Sequence, residues 1–282
     1  MIEHPAHAEL TAHAKLTLSL RITGVRDDGY HLVDAEMVTL DLTDTVTIET
    51  RTIETGTIEM RTIEARTRTD LASTVTTASG PYADGVPLDA DNLVVRALHL
   101  TGSPPAAVHL HKRIPHGGGL GGGSADAAAI LRWAGWSGTP DELATAARLG
   151  ADIAFCLVGG RARVRGIGEV VEPLPHLDRI VTLVIPPVRV STPAAYRAWD
   201  DLGGPTAPGP NDLEPAALAI APELARWRDR IGDATGRSPV LAGSGATWFV
   251  HGEHSSALVA LGNEGAEIIA ARTVPAEAQP RR

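Results

Sequence analysis

Residues 115–128 read Pro115-His116-Gly117-Gly118-Gly119-Leu120-Gly121-Gly122-Gly123-Ser124-Ala125-Asp126-Ala127-Ala128. Six glycines within Gly117–Gly123 carry a large conformational-entropy cost, so a loop of this composition needs a reason to exist. Glycine lets backbone N–H groups approach a ligand closely. The alanine-rich helix predicted from Ser124 to about Trp133 adds unpaired donors and the positive end of its dipole, a ready receptor for phosphate. A flexible linker seldom runs straight into such a helix. The loop therefore predicts a phosphate-binding turn between a strand at Val108–Lys112 and that helix.

The kind of phosphate ligand is narrowed by what is missing. There is no Gly-x-x-x-x-Gly-Lys-Ser/Thr, which disfavours a P-loop nucleotidase. Gly117-x-Gly119-x-x-Gly122 satisfies the dinucleotide fingerprint, but a Rossmann unit needs a parallel strand after the helix. The next segment, 139–149, instead reads as a helix, with Thr139 as cap, Pro140 at its first position and Glu142 at its third.

Outward from the loop, residues 14–22 alternate with Leu16, Leu18, Leu20 and Ile22 on one face, a half-buried strand. Further strands are predicted within 32–50, a helix over 89–100 capped by Asp89 or Asp91, and strand-like segments over 151–172 around turns at Gly159-Gly160 and Gly166. Beyond residue 178 come a buried strand at Ile180–Ile185 and a short helix from Thr192 through Trp199. A helix over 213–231, a strand over 239–250 with a glycine turn, a helix over 254–262 and a strand over 265–273 follow. Without regular βαβ alternation, the pattern predicts an α+β fold in two lobes. Residues 47–66 form four tandem pentamers carrying Thr-Ile-Glu. A period of five fits neither a strand face nor a helix face, so this stretch reads as a β-hairpin or edge-strand insertion without a chemical role.

Composition bounds the partners. With 282 residues, 43% hydrophobic content and mean hydropathy near zero, the chain can bury a substantial core. No apolar run approaches the ~18 residues of a membrane span. The start Met1-Ile2-Glu3-His4-Pro5 lacks signal-peptide character, which makes the cytoplasm the expected location. A net charge of -9 argues against nucleic acid as a partner. The single Cys156 excludes an internal disulfide framework. Against that acidic, arginine-rich background only two lysines occur, Lys15 and Lys112, and a compact ammonium is hard to replace with Arg at a tight site.

The glycine loop resembles the phosphate-binding motif of GHMP-type kinases (galactokinase, homoserine kinase, mevalonate kinase and relatives). Two further motifs appear in the order of that superfamily: Ala14-Lys15-Leu16 on the first strand, and Leu241-Ala242-Gly243-Ser244-Gly245-Ala246. Within it, the chain is most similar to the kinases of the non-mevalonate isoprenoid pathway that phosphorylate a cytidine-diphosphate-linked methylerythritol. The residues carrying that likeness are Lys15, Arg26-x-Asp28-Gly29-Tyr30-His31, Asp91-Asn92-Leu93-Val94-x-Arg96-Ala97, Gly150-Ala151-Asp152-Ile153 and Asn211-Asp212-Leu213-Glu214-Pro215.

The resemblance implies a ribosomal protein S5 domain 2-like N-terminal lobe over 1–176, which binds ATP, and a ferredoxin-like C-terminal lobe over 177–282. It implies ATP and Mg²⁺, with Pro115 through Ala125 around the phosphates, Ser124 as a contact to phosphate or Mg²⁺, and Asn92 and Lys112 near the nucleoside. Asp152 would be the general base, with Lys15 beside it favouring the ionised carboxylate and countering charge on the transferring phosphoryl group. Tyr30 and Tyr196 would flank the cytosine and His31 would bond its edge, with Thr17, Gly243 and Ser244 also at the substrate. Three positions depart from the family pattern: His13 replaces Pro, Thr17 replaces Asn, and Ala154 replaces Pro. Thr17 changes one polar contact, which leaves open a different small alcohol as acceptor, or a nucleotide-binding paralogue without turnover.

Overall fold

In the computed structural model, residues 7–50, 74–103 and 106–277 are described. The alternation around Lys15 belongs to a strand longer than predicted, β1 (His7–Val25), paired antiparallel with β2 (His31–Thr50). The predicted half-burial holds only at its ends. Ala14, Lys15, Leu16 and Thr17 are all buried, because the face that would meet solvent is covered by the glycine loop, whose Leu120 carbonyl accepts from Lys15 N at 3.0 Å. Register breaks between His13 and Lys15 and between Thr17 and Ser19 bracket the two polar residues. Such bulges re-aim side chains.

The strands segregated within 32–50 are one continuous strand that organises the sheet. Along its length β2 meets β1, β4 (Ala106–His111), β5 (Arg161–Gly166) and, at Thr39 and Leu40, β10 (Glu267–Val274). The first pentamer triplet, Thr47–Glu49, lies inside β2 with neighbours on both sides, so it is not at an edge. The rest of the repeat, from residue 51, lies outside the described residues. β3 (Thr74–Ser79) runs parallel to β4, and β6 (Val170–Leu174) pairs with β5. On the far side, β10 pairs with β7 (Ile180–Ile185), β7 with β9 (Trp248–His251), and β9 with the short β8 (Val240–Leu241). Together these strands form one ten-stranded sheet.

Helices α1 (Leu93–Thr101), α2 (Gly122–Trp133), α3 (Pro140–Leu149) and α4 (Ile153–Val158) pack on the β1–β6 side. α5 (Thr192–Asp201), α6 (Glu214–Ile220), α7 (Glu223–Thr235) and α8 (Val259–Gly262) belong with β7–β10. Between the two groups, Leu16, Leu40, Ile114, Leu120, Leu183 and Phe249 form a further buried cluster directly beneath the glycine loop. Burying a large apolar side chain stabilises by about 1.5–3 kcal/mol, so this cluster gives the loop a rigid floor. Among the described residues no helix is long and apolar enough to cross a membrane.

Several predicted boundaries shift for identifiable reasons. The cap of α1 is Asn92, whose Oδ1 accepts from Val94 N at 2.8 Å, while Asp89 caps the preceding turn through Asp91 N. α3 carries the predicted capping box. The strand-like run Ile153–Val158 is instead α4: it is a short continuous apolar stretch, which periodicity cannot distinguish from a buried helix. The helix over 213–231 divides at Ala221-Pro222, where proline has no N–H to continue the ladder. The strand over 239–250 is interrupted from 242 to 247 by the second glycine motif. The helix over 254–262 begins as a 3₁₀ turn at Ser255–Leu258.

Candidate active site

Two cavities meet at Gly119. The first, about 390 Å³, is lined by the glycine loop, Ser124, Asn92 and Lys112. The second, about 600 Å³, is lined by Lys15, Thr17, Tyr30, His31, Asp152, Tyr196, Gly243 and Ser244, and Gly119 belongs to both walls.

The loop's glycines serve close packing as well as ligand access. Gly121 is the left-handed cap of α2 at φ +70°, and a Cβ there would lie 2.8 Å from Lys15 Cγ. Gly119, at φ +75°, approaches the second glycine motif so closely that a Cβ would stand 2.7 Å from the Ala242 carbonyl oxygen. Gly118 is equally tight against Thr247 Oγ1, and Ala125 is buried in α2, so these two face protein more than cavity. Gly117 has open space around it, and Gly123 meets only the edge of Leu93. The α2 amides that follow Gly121 have no intrahelical acceptor and open toward the first cavity.

Lys15 Nζ lies 3.3 Å from Asp152 Oδ2 and donates to Thr17 Oγ1 at 3.1 Å. The lysine is buried, whereas the Asp152 carboxylate, preceding α4, remains about one-third exposed (32%). Close by, burial and then the negative charge of Asp152 push the Tyr196 hydroxyl up to about 12, so this ring stays neutral. Burial likewise raises the Cys156 thiol to about 12, which leaves it unreactive.

His31 stands against α5. Its ring centroid is 4.7 Å from that of Tyr196 and 5.6 Å from that of Trp199, and Nε2 bonds Asp200 Oδ1 at 2.8 Å. Tyr30 is 59% exposed at the cavity mouth. Asn92 is engaged at both ends, since Nδ2 donates to the Pro87 carbonyl at 2.7 Å.

The Lys112 ammonium pairs with both Asp44 and Asp126, its side chain nearly fully buried at the wall of the first cavity. Two carboxylates around one cation leave an excess negative charge. Asp44 Oδ1 accepts from the amides of Arg113 and Ile114, whereas Asp126 Oδ1 has no donor. Burial accordingly raises Asp126 to about 7.

Asp44 and Asp126 were not singled out by sequence, nor was Asn211 given a role. Asn211 Nδ2 donates to the carbonyls of Leu241 (2.8 Å) and Gly243 (2.6 Å), fixing the second glycine motif beside Lys15. The only signal for Asp126 was its place just after Ser124 in the loop motif. Asp44 had none.

Mg²⁺ accompanies a nucleotide using only one or two protein oxygens. Among the described residues no group of three His, Cys, Asp or Glu could hold a metal alone. Ser124 and Asp126 line the same cavity, and Asp126 Oδ1 is without a partner, so the residues present suit an ion that arrives on phosphates.

Residues 92–160 match the family profile described as "GHMP kinases N terminal domain". The 4-diphosphocytidyl-2-C-methyl-D-erythritol kinase of Paracoccus denitrificans is 37% identical over 264 residues, covering 87% of each chain. That of Ruegeria pomeroyi is 36% identical, over 86% of this chain and 87% of its own. Among solved structures, a 4-(cytidine 5'-diphospho)-2C-methyl-D-erythritol kinase superposes with a TM-score of 0.68 at 29% identity, covering 94% of this chain and 99% of that one. A homoserine kinase from Cytophaga hutchinsonii shares the fold, with a TM-score of 0.61 at 17% identity, covering 100% of this chain and 98% of its own. The chain has the two-lobed α+β GHMP kinase fold and belongs to the 4-diphosphocytidyl-2-C-methyl-D-erythritol kinase family.

Proposed function

We propose that the chain transfers the γ-phosphoryl group of ATP to the 2-hydroxyl of 4-diphosphocytidyl-2-C-methyl-D-erythritol, a step of non-mevalonate isoprenoid synthesis. The observation that carries this reading is the Lys15–Asp152 contact of 3.3 Å on the wall of a cavity that shares Gly119 with the phosphate loop. A hydroxyl in one cavity and a terminal phosphate in the other would meet at that pair.

In this mechanism the loop and the α2 amides hold the ATP phosphates through Gly117–Ser124. Asp152 takes the proton of the 2-hydroxyl as its oxygen bonds to the γ-phosphorus. The bond from that phosphorus to the β–γ bridging oxygen breaks, and ADP leaves. Lys15, fixed by Thr17 and packed on Gly121, balances the charge on the transferring group. Ser124 and Asp126 are the residues that would hold Mg²⁺, which when bound would help neutralise phosphate charge. Tyr30 and Tyr196 flank the cytosine, His31 bonds its edge, and Gly243 and Ser244 close the methylerythritol end. Lys112 contributes by holding Asp44 and Asp126 behind the loop, and Asn92 by shaping the nucleoside wall.

The same reading divides the chain into an N-terminal ATP-binding lobe, 1–176, and a C-terminal lobe, 177–282, working in the cytoplasm. In support, β6 ends at Leu174, β7 starts at Ile180, and largely separate apolar clusters form on either side. ADP release measured with the cytidine-linked substrate, against galactose, homoserine and mevalonate, tests the proposal. Turnover with the cytidine compound alone is expected. Preference for another alcohol, or no release with any, would overturn it.

A further inference from the structure

Four basic side chains line the acceptor cavity, and only two have an acidic partner. Lys15 pairs with Asp152, and His31 with Asp200. Arg148, in the last turn of α3, and Arg197, in α5, line the same cavity with exposed side chains. Among the described residues neither forms an ion pair. Arg148 Nε donates to the Ala144 carbonyl at 3.1 Å, and among the described residues its terminal nitrogens have no ion-pair partner. Some surface arginines of this acidic chain are matched to carboxylates, as in Arg161 with Glu36, Arg163 with Asp34 and Arg272 with Asp178. Here two guanidinium groups without a carboxylate partner stand on one cavity wall.

Both arginines neighbour, in sequence, residues placed at the site. Arg197 directly follows Tyr196 of the aromatic end, and Arg148 stands four residues before Asp152 of the reacting end. In the proposed acceptor, the diphosphate is the link between base and alcohol. We infer that Arg148 and Arg197 form the clamp for this diphosphate, making the site selective for a nucleoside diphosphate over an uncharged nucleoside or sugar alcohol. The inference rests on the acceptor proposed above. Guanidinium groups suit it because their planar donors bond phosphate oxygens in pairs.

Calorimetric binding of CDP and of cytidine to the full chain, alongside steady-state kinetics, tests the clamp. The unmodified protein is expected to bind CDP at least about tenfold more tightly than cytidine, the size of one charge-assisted contact. Arg148→Gln and Arg197→Gln should each weaken CDP by about tenfold, leave cytidine within about twofold, and raise KM for the acceptor but not for ATP. Arg197→Lys should recover part of the loss. An unchanged CDP-to-cytidine ratio in the double variant would overturn the clamp, as would equal loss of both ligands in every variant. Because the binding measurement needs no turnover, absence of kinase activity would count against the acceptor reading and leave this comparison intact.

Discussion

Lys15 Nζ and Asp152 Oδ2 are 3.3 Å apart, with the ammonium buried at 5% exposure and the carboxylate at 32%. The asymmetry has a chemical consequence. The ammonium is buried and donates to Thr17 Oγ1, while the Lys15 backbone amide is tied to the glycine loop through the Leu120 carbonyl, so the cation acts as a fixed charge. The carboxylate faces the acceptor cavity, where a hydroxyl proton can reach it. Its position suits Asp152 to proton transfer.

Gly121 is where the phosphate loop and Lys15 press together. Gly121→Ala would place a Cβ 2.8 Å from Lys15 Cγ at a φ of +70° that side chains rarely adopt. Strain of about 1–2 kcal/mol is expected, with Lys15 displaced from Asp152. Steady-state kinetics should show kcat falling at least about tenfold, with the protein still folded by circular dichroism. Unchanged kcat would separate Lys15 placement from the loop.

Asp126 gives a pH signature. Its folded-state value, raised to about 7 by burial, lies above its unfolded value near 3.8. The folded protein therefore holds more protons between those values, and this group's stabilising contribution is present below about pH 4 and lost as pH rises through about 7. Urea midpoints of the unmodified chain and of Asp126→Asn, compared at pH 5 and pH 7.5, should show the variant gaining relative stability at the higher pH. A difference that does not change with pH would contradict this reading of the buried triad.

Tyr30 separates binding from folding. It is 59% exposed, with the Arg26 guanidinium 6.0 Å from its ring centroid. Tyr30→Ala should change stability by less than about 0.5 kcal/mol. Loss of a base-stacking face worth about 1–3 kcal/mol should raise KM for the cytidine-linked acceptor by roughly five- to a hundredfold. ATP KM should be unaffected. A matching rise in both constants would move Tyr30 out of the acceptor site.

Much of the site was legible because it lies in short local patterns. The loop at Gly117–Ser124, the capping box at Thr139–Glu142 and the Gly150-Ala151-Asp152 turn each sit in consecutive residues. What stayed hidden depends on distant pairing. Nothing local shows that β2 runs unbroken from His31 to Thr50, or that Asp44 on it reaches Lys112. That two buried carboxylates pair with Lys112 is likewise not legible locally. α4 was missed because five consecutive buried residues carry no period. Asn211 was visible as part of a motif, yet its hold on Leu241 and Gly243 appears only when β1 and the second glycine motif are brought side by side.

The central claim concerns where the phosphate goes and which residue takes the proton. Phosphorus NMR of the product formed from ATP and the cytidine-linked substrate, run with the unmodified chain and with Asp152→Asn, addresses both. The account predicts one new phosphomonoester on the 2-hydroxyl, formed at least about 100-fold more slowly by the variant, with ATP affinity retained. A product phosphorylated elsewhere, or near-normal turnover by Asp152→Asn, would contradict it.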